Sequence, residues 1–169
     1  MADEAGNLAE RNQLLTTEIQ RRIDQLAAIN RVASVVSQSL DLETTLQTAL
    51  DAVLEVIPVE AAGISLVDEA AGELVLQAQQ GWKGDFVSEP MRVPLGTGFS
   101  GQAVARDEVI ITGDVSDDPR LAFPAFAEEG VQAMALVPMH ARGRVVGILS
   151  VMSHHPYEFD EDDVAILRS

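Results

Sequence analysis

The chain has 169 residues and a formal net charge of −16, from 27 acidic and 11 basic side chains. That charge argues against a phosphate-backbone partner and against an anionic membrane surface, since both bind through Lys and Arg. Cysteine is absent, which removes disulfides, thiolate metal sites and cysteine nucleophiles together and agrees with a cytoplasmic setting.

The first forty residues differ from the rest. Met1–Leu40 has five acidic and four basic residues, no Pro and one Gly, whereas all seven Pro and the other eleven Gly lie beyond it. Met1–Asn12 is acidic and no apolar run follows it, so it does not read as a signal peptide. A heptad count places Ala5, Asn12, Ile19, Leu26, Ala33 and Leu40 at a, and Leu8, Leu15, Arg22, Ile29 and Val36 at d. Nine of these eleven positions are apolar, the pattern of a coiled-coil seam. The expected dimer interface is Leu8, Asn12, Leu15, Ile19, Leu26, Ile29 and Val36. Asn12 at a favours parallel two-stranded pairing, and Arg22 at d is a weak point. A single helix packed on its own domain is the competing reading.

Asp41 is a good N-cap for a second helix whose apolar face is Leu42, Leu46, Ala49, Leu50, Val53, Leu54 and Ile57, ended by Pro58. The Ser39–Asp41 junction either kinks the chain or lets the two helices run on. Strand periods follow. Gly63–Asp68 and Glu73–Ala78 form a hairpin around the turn at Asp68–Gly72, with Leu74, Leu76 and Ala78 alternating against Val75 and Gln77. Gly98–Arg106 reads as a short helix, Val109–Thr112 as a short strand and Asp118–Ala127 as a Pro- and Phe-containing excursion. Ala133–His140 and Arg144–Ser153 flank a second hairpin turn. Asp160–Ser169 begins a last helix with Glu161, Asp162 and Asp163 in its first turn, where carboxylates face the positive end of the helix dipole. Its abrupt end suggests a fragment of a longer protein. The domains expected are 1–40, a signalling helix, and 41–169. No apolar run approaches the ~20 residues of a spanning helix.

Five strings then stand in an order that resembles GAF domains. These are the sensory modules of bacterial histidine kinases, phosphodiesterases, diguanylate cyclases and transcription regulators. The strings are Leu95–Ala105 (LGTGFSGQAVA), Ile111–Arg120 (ITGDVSDDPR), Ala135–Met139 (ALVPM), Gly143–Val151 (GRVVGILSV) and Tyr157–Asp163 (YEFDEDD). The resemblance covers about Ile29–Ser169. It implies an α+β fold: an antiparallel sheet of five or six strands, the Asp41–Ile57 and C-terminal helices on one face, loop excursions on the other, and the N-terminal coiled coil ahead. It also implies a small-molecule sensor that relays through dimeric helices to an output domain outside this chain. A ligand-free dimerisation module is the alternative.

The chemistry available narrows the ligand. Gly96 and Gly98 permit positive φ before a helix, Ser100 and Gly101 permit its close approach to the sheet, Gly143 suits a hairpin turn, and Gly147 within a strand points to close approach of a neighbour. The Gly-rich helix start lacks the Lys of a P-loop. The histidines are His140, His154 and His155; the adjacent pair is expected to point to opposite sheet faces, so the two do not readily bind one metal and no metal site is expected. The excursion where haem-binding relatives place their proximal His has none, so a noncovalent haem or bilin sensor is a minor reading. Covalent bilin attachment and methionine sulfoxide reduction use Cys in this family, and this chain has none. Of the cyclic-nucleotide pattern only Phe159-Asp160-Glu161 remains, with Ser153-His154 near the Asn-Lys position. No hydrolase or metalloprotease constellation is present, so no enzyme is expected. Trp82, Phe86, Phe99, Arg120, Phe123 and Phe126 are the candidate ligand-binding residues, aromatics on loops and short helices with one cation. They equally suit a second small core beneath those loops. The cofactor is left open.

Overall fold

A computed structural model of the chain describes residues 2–83, 90–115 and 130–168, with 2–10 and 28–37 as backbone only. Contacts divide the chain into two compact units, Met1–Leu42 and Glu43–Ser169. Among the described residues no helix is long and apolar enough to cross a membrane.

One helix, α1 (Ala2–Val56), runs through both segments expected to be separate helices. Asp41 is therefore not an N-cap. Neither Pro nor Gly interrupts Asn7–Ile57, so no residue at the Ser39–Asp41 junction breaks the hydrogen-bond ladder. Within the first unit Leu15, Ile19 and Leu26 are all more than half exposed. Asn12 is exposed too, and Arg22 pairs with Glu18 one turn earlier at 3.0 Å. Leu8, Ile29 and Val36 lie in the backbone-only stretches.

The second unit holds a six-stranded antiparallel sheet. Its strands are β1 (Ala61–Asp68), β2 (Glu73–Gln80), β3 (Arg92–Pro94), β4 (Ile110–Thr112), β5 (Ala133–Ala141) and β6 (Arg144–Ser153), in the order β3-β2-β1-β6-β5-β4. Among the described residues it also holds helices α2 (Gly98–Arg106) and α3 (Glu161–Arg168). This is the expected α+β fold with its higher strand count. The edge strand β3 is an addition to the sequence reading, while α2 and β6 have the expected bounds.

The sheet buries both faces. Leu46, Leu50 and Ile57 of α1 and Leu167 of α3 pack with Ala62, Ile64, Ala135, Val137, Leu149 and Val151 on one face. Phe99, Ala103 and Val104 of α2 pack with Met134, Leu136, Ile148 and Met152 on the other. Burial on both sides explains why β5 and β6 read as nearly continuous apolar runs. Strand β2 departs from simple alternation. Ile64 pairs with Ala78 but Ser65 with Leu76, so Gln77 is a bulge. The bulge sends Ala78 to the α1 face, whereas Leu74 stays on the α2 face. Unbroken alternation would have put both on one side.

The turns follow the glycines. Arg142 and Gly143 both have positive φ, 52° and 76°, as the two-residue hairpin turn between β5 and β6 requires. The start of α3 is closed by two carboxylates: Asp163 N–H donates to Asp160 at 2.9 Å, and Asp160 N–H donates to Asp163 at 3.2 Å. This reciprocal pairing is a capping box built from two Asp, so the acidic run is a helix start. The Tyr157 hydroxyl donates to the same Asp163 carboxylate at 2.9 Å.

Candidate functional site

The middle of the sheet's α2 face is built from small side chains. On β1, Ala61 and Val67 point to this face and Ala62 and Ile64 to the other, so Gly63 and Ser65 share it. Gly63 pairs with Ser150 on β6 and with Gln79 on β2, and Ser65 pairs with Ile148. Ser150 lies between Ile148 and Met152, which also face α2. Gly63, Ser65 and Ser150 are thus neighbours on one surface.

Trp82 covers part of it. A Cβ on Gly63 would stand 2.7 Å from Cζ2 of the indole, so the ring rests where any larger residue would sit. The Trp82 backbone N–H donates to the Gln79 side-chain oxygen at 3.3 Å, which ties the end of β2 to its own strand. Phe99 supplies the wall beneath α2 and is buried in the core. Of the six predicted ligand residues the structure brings Trp82 and Phe99 to this face. Phe86, Arg120, Phe123 and Phe126 lie outside the described residues. Gly63, Ser65 and Ser150 were not predicted. Their proximity arises from strand register, which no local pattern reports.

Ser65 and Ser150 are both buried, at 8% and 6% exposure. Their hydroxyls place a small polar spot on a face otherwise built from apolar side chains.

The glycine-rich turn before α2 is closed on itself. Gly96 N–H donates to the Gly101 carbonyl at 2.9 Å, and Thr97 N–H donates to the Pro94 carbonyl at 3.2 Å. A Cβ at Gly101 would meet that Pro94 carbonyl at 2.4 Å, the close approach expected there. These amides hold the turn against β3.

The histidines lie elsewhere. His140 ends β5 and bonds through Nε2 to Asp107 Oδ1 at 2.9 Å. His154 and His155 follow β6 rather than belonging to it, so strand alternation does not separate them. His154 N–H donates to Glu60 at 2.9 Å, and His155 Nε2 lies 3.8 Å from the same carboxylate. His155 N–H donates to the buried Ser153 hydroxyl at 3.1 Å. Burial pushes the Glu60 carboxyl up. Hydrogen bonds from the His154 N–H, the Ser153 hydroxyl and its own N–H, with the charge of His155, together hold it below its ordinary value. A depressed folded-state carboxyl adds stability above its unfolded value and loses it as pH falls through the folded one. Glu60→Gln is therefore expected to flatten the acid limb of the stability curve below about pH 4.5 and leave the neutral-to-alkaline limb unchanged in slope. Urea midpoints measured from pH 3 to 8 check this, and an unaltered acid limb refutes it.

Comparisons with known proteins bear on the family. The GAF domain family model matches residues 39–169. Protein YtsP of Bacillus subtilis is 32% identical over 104 residues, 60% of this chain and 58% of that protein. The chain thus spans somewhat more than half the length of that curated relative. The GAF domain of a phosphoenolpyruvate-protein phosphotransferase from Coxiella burnetii superposes with a TM-score of 0.66 at 28% identity, covering 73% of this chain and 74% of that one. A free methionine-R-sulfoxide reductase from Neisseria meningitidis, solved with its substrate, gives 0.64 at 30% identity over 79% of this chain and 75% of that one. With the family model covering most of its length and the sheet, helices and turns in place, the chain belongs to the GAF domain family.

Proposed function

We propose that this GAF domain is a sensory module that holds a small molecule on the α2 face of its sheet, against Ser65, Ser150, Trp82 and Phe99. It relays occupancy through paired terminal helices to an output domain of its parent protein in the cytoplasm, as in a two-component or related signalling system. The observation that carries the reading is the pair of buried serines that share the α2 face with Gly63, against which the Trp82 indole rests. Solved relatives support it: one is the GAF domain of a phosphoenolpyruvate-protein phosphotransferase and another was captured with its substrate. GAF enzymes that reduce methionine sulfoxide use cysteines, and this chain has none. We read the domain as a binder and not an enzyme.

Haem and bilin are weaker candidates than a small polar ligand. His140 is engaged by Asp107, and His154 and His155 gather at Glu60. None of the three belongs to the α2-face cluster that would surround such a cofactor. A cyclic nucleotide fits poorly with so acidic a domain.

The test is a native mass spectrum of gently purified chain beside its denatured mass. A noncovalent excess is expected, and Ser150→Leu, which fills the polar spot, is expected to remove it while the protein stays folded. A bare wild-type chain whose Trp82 fluorescence ignores cell extract overturns the reading. A ligand-free dimerisation module is the second reading. It rests on Leu15, Ile19 and Leu26, exposed along one stripe of α1 at a and d positions. A bare dimer supports it, and a bare monomer removes both the relay and the coiled coil.

A further inference from the structure

The opposite face of the same unit carries a cavity. A cleft of about 720 Å³ opens between α1 and α3 over strands β1, β5 and β6. That is within the roughly 300–1,000 Å³ of small-molecule sites. Its floor is Ile64, Val137 and Leu149, and its α1 wall is made by Ala49, Ala52 and Val53. Alanines one turn apart leave the groove open where larger residues would close it. The floor is apolar, but the rim is not. Asp107 and His140, 2.9 Å apart, line it, as does Arg168 at the end of α3.

The two rim groups differ. The Asp107 charge is engaged by His140. Arg168 is exposed and makes no ion pair or hydrogen bond among the described residues. A guanidinium beside an apolar slot is complementary to a carboxylate, which it grips with two parallel N–H donors. In a domain this acidic an unengaged cation at a cleft mouth selects for an anionic headgroup. We propose that the cleft binds an aliphatic monocarboxylate, its chain on the Ile64–Val137–Leu149 floor and its carboxylate on Arg168. The site is separate from the α2 face and does not depend on the function proposed above. A ligand there would lie between α1 and α3, against both terminal helices of the unit.

A second copy of the chain is the other occupant such a groove can have. Covering the rim with a packed helix would desolvate the His140–Asp107 pair and Arg168 without an evident partner for the latter, which favours the carboxylate.

Calorimetric titration of the whole chain with decanoate, and separately with decanol, tests the proposal. Saturable one-to-one binding of decanoate is expected, with Arg168→Gln weakening it about tenfold and leaving decanol unaffected. Ala52→Phe, at an exposed helix position that tolerates a ring, is expected to abolish both. Ser150→Leu on the other face is expected to change neither. Absence of saturable decanoate binding overturns the proposal. So does binding that ignores Arg168→Gln, and so does binding lost in Ser150→Leu. A wild-type dimer that Ala52→Phe converts to monomer in sedimentation assigns the cleft to a second copy and overturns it equally.

Discussion

Replacing Gly147 by alanine is expected to cost about 3 kcal/mol, although only one methyl group is added. Gly147 sits in β6 between two other strands, opposite Leu66 of β1 and Met139 of β5. A Cβ there would stand 2.4 Å from the Ser65 carbonyl oxygen and 2.9 Å from Cδ2 of Leu66. The leucine methyl can rotate away. The carbonyl belongs to the backbone of β1, one of the two central strands, so relief means moving β1 and β6 apart. That movement strains the pairing of Gly63 with Ser150, three residues along the same ladder. The mutation therefore reaches the proposed ligand surface as well as stability. Gly143 is the control. Its φ is positive, unlike that of Gly147, but nothing stands within 4 Å of its would-be Cβ. Gly143→Asn, which tolerates that backbone, is expected to stay within about 1 kcal/mol of wild type. Urea unfolding of the two variants separates close packing from backbone freedom. Equal midpoints for Gly147→Ala and wild type would refute the packing account.

The hint at Gly147 was present in the sequence, because glycine inside a strand of β-branched residues needs a reason. The bounds of α2 and β6 were legible for similar causes: Gly98 has positive φ where the helix begins, and Gly143 marks the hairpin before β6. Strand β3 was not legible. It has three residues, one of them Pro94 on the sheet edge, and its pairing with Glu73–Val75 is the only thing that defines it. Continuity of α1 was not legible either. Asp41 has the side chain of an N-cap, and only the helical backbone on both sides shows that it does not act as one. The site divides the same way. Trp82 and Phe99 stood out in the sequence because aromatics on connections are conspicuous in a chain with so few. Gly63, Ser65 and Ser150 come together through register across β1 and β6, and each alone is an ordinary small residue in a strand. The bulge at Gln77 makes the same point, since it moves Ala78 to the face that local alternation denied it.

Leu50→Ala is expected to destabilise the domain by about 3 kcal/mol, whereas Leu40→Ala, ten residues earlier on the same helix, is expected to change stability by no more than about 0.5 kcal/mol. The residue type and the helix are the same, and burial differs: Leu50 is 0% exposed and Leu40 58%. Leu50 lies with Leu46 and Ile57 against Ala62, Ile64, Leu149 and Val151. Truncation removes the transfer free energy of the lost carbons and leaves a void between helix and sheet. Leu40 has no such surroundings in a single chain, so its apolar surface has value only if another helix covers it. The pair of variants thus reads out the relay. If α1 forms a parallel coiled coil in the dimer, Leu40→Ala weakens dimerisation while the unfolding midpoint of dilute monomer is unmoved. Leu50→Ala lowers the midpoint at every concentration. A Leu50→Ala protein as stable as wild type would mean that α1 is not anchored to the sheet, and a helix without that anchor could not carry the state of the sheet to an output domain.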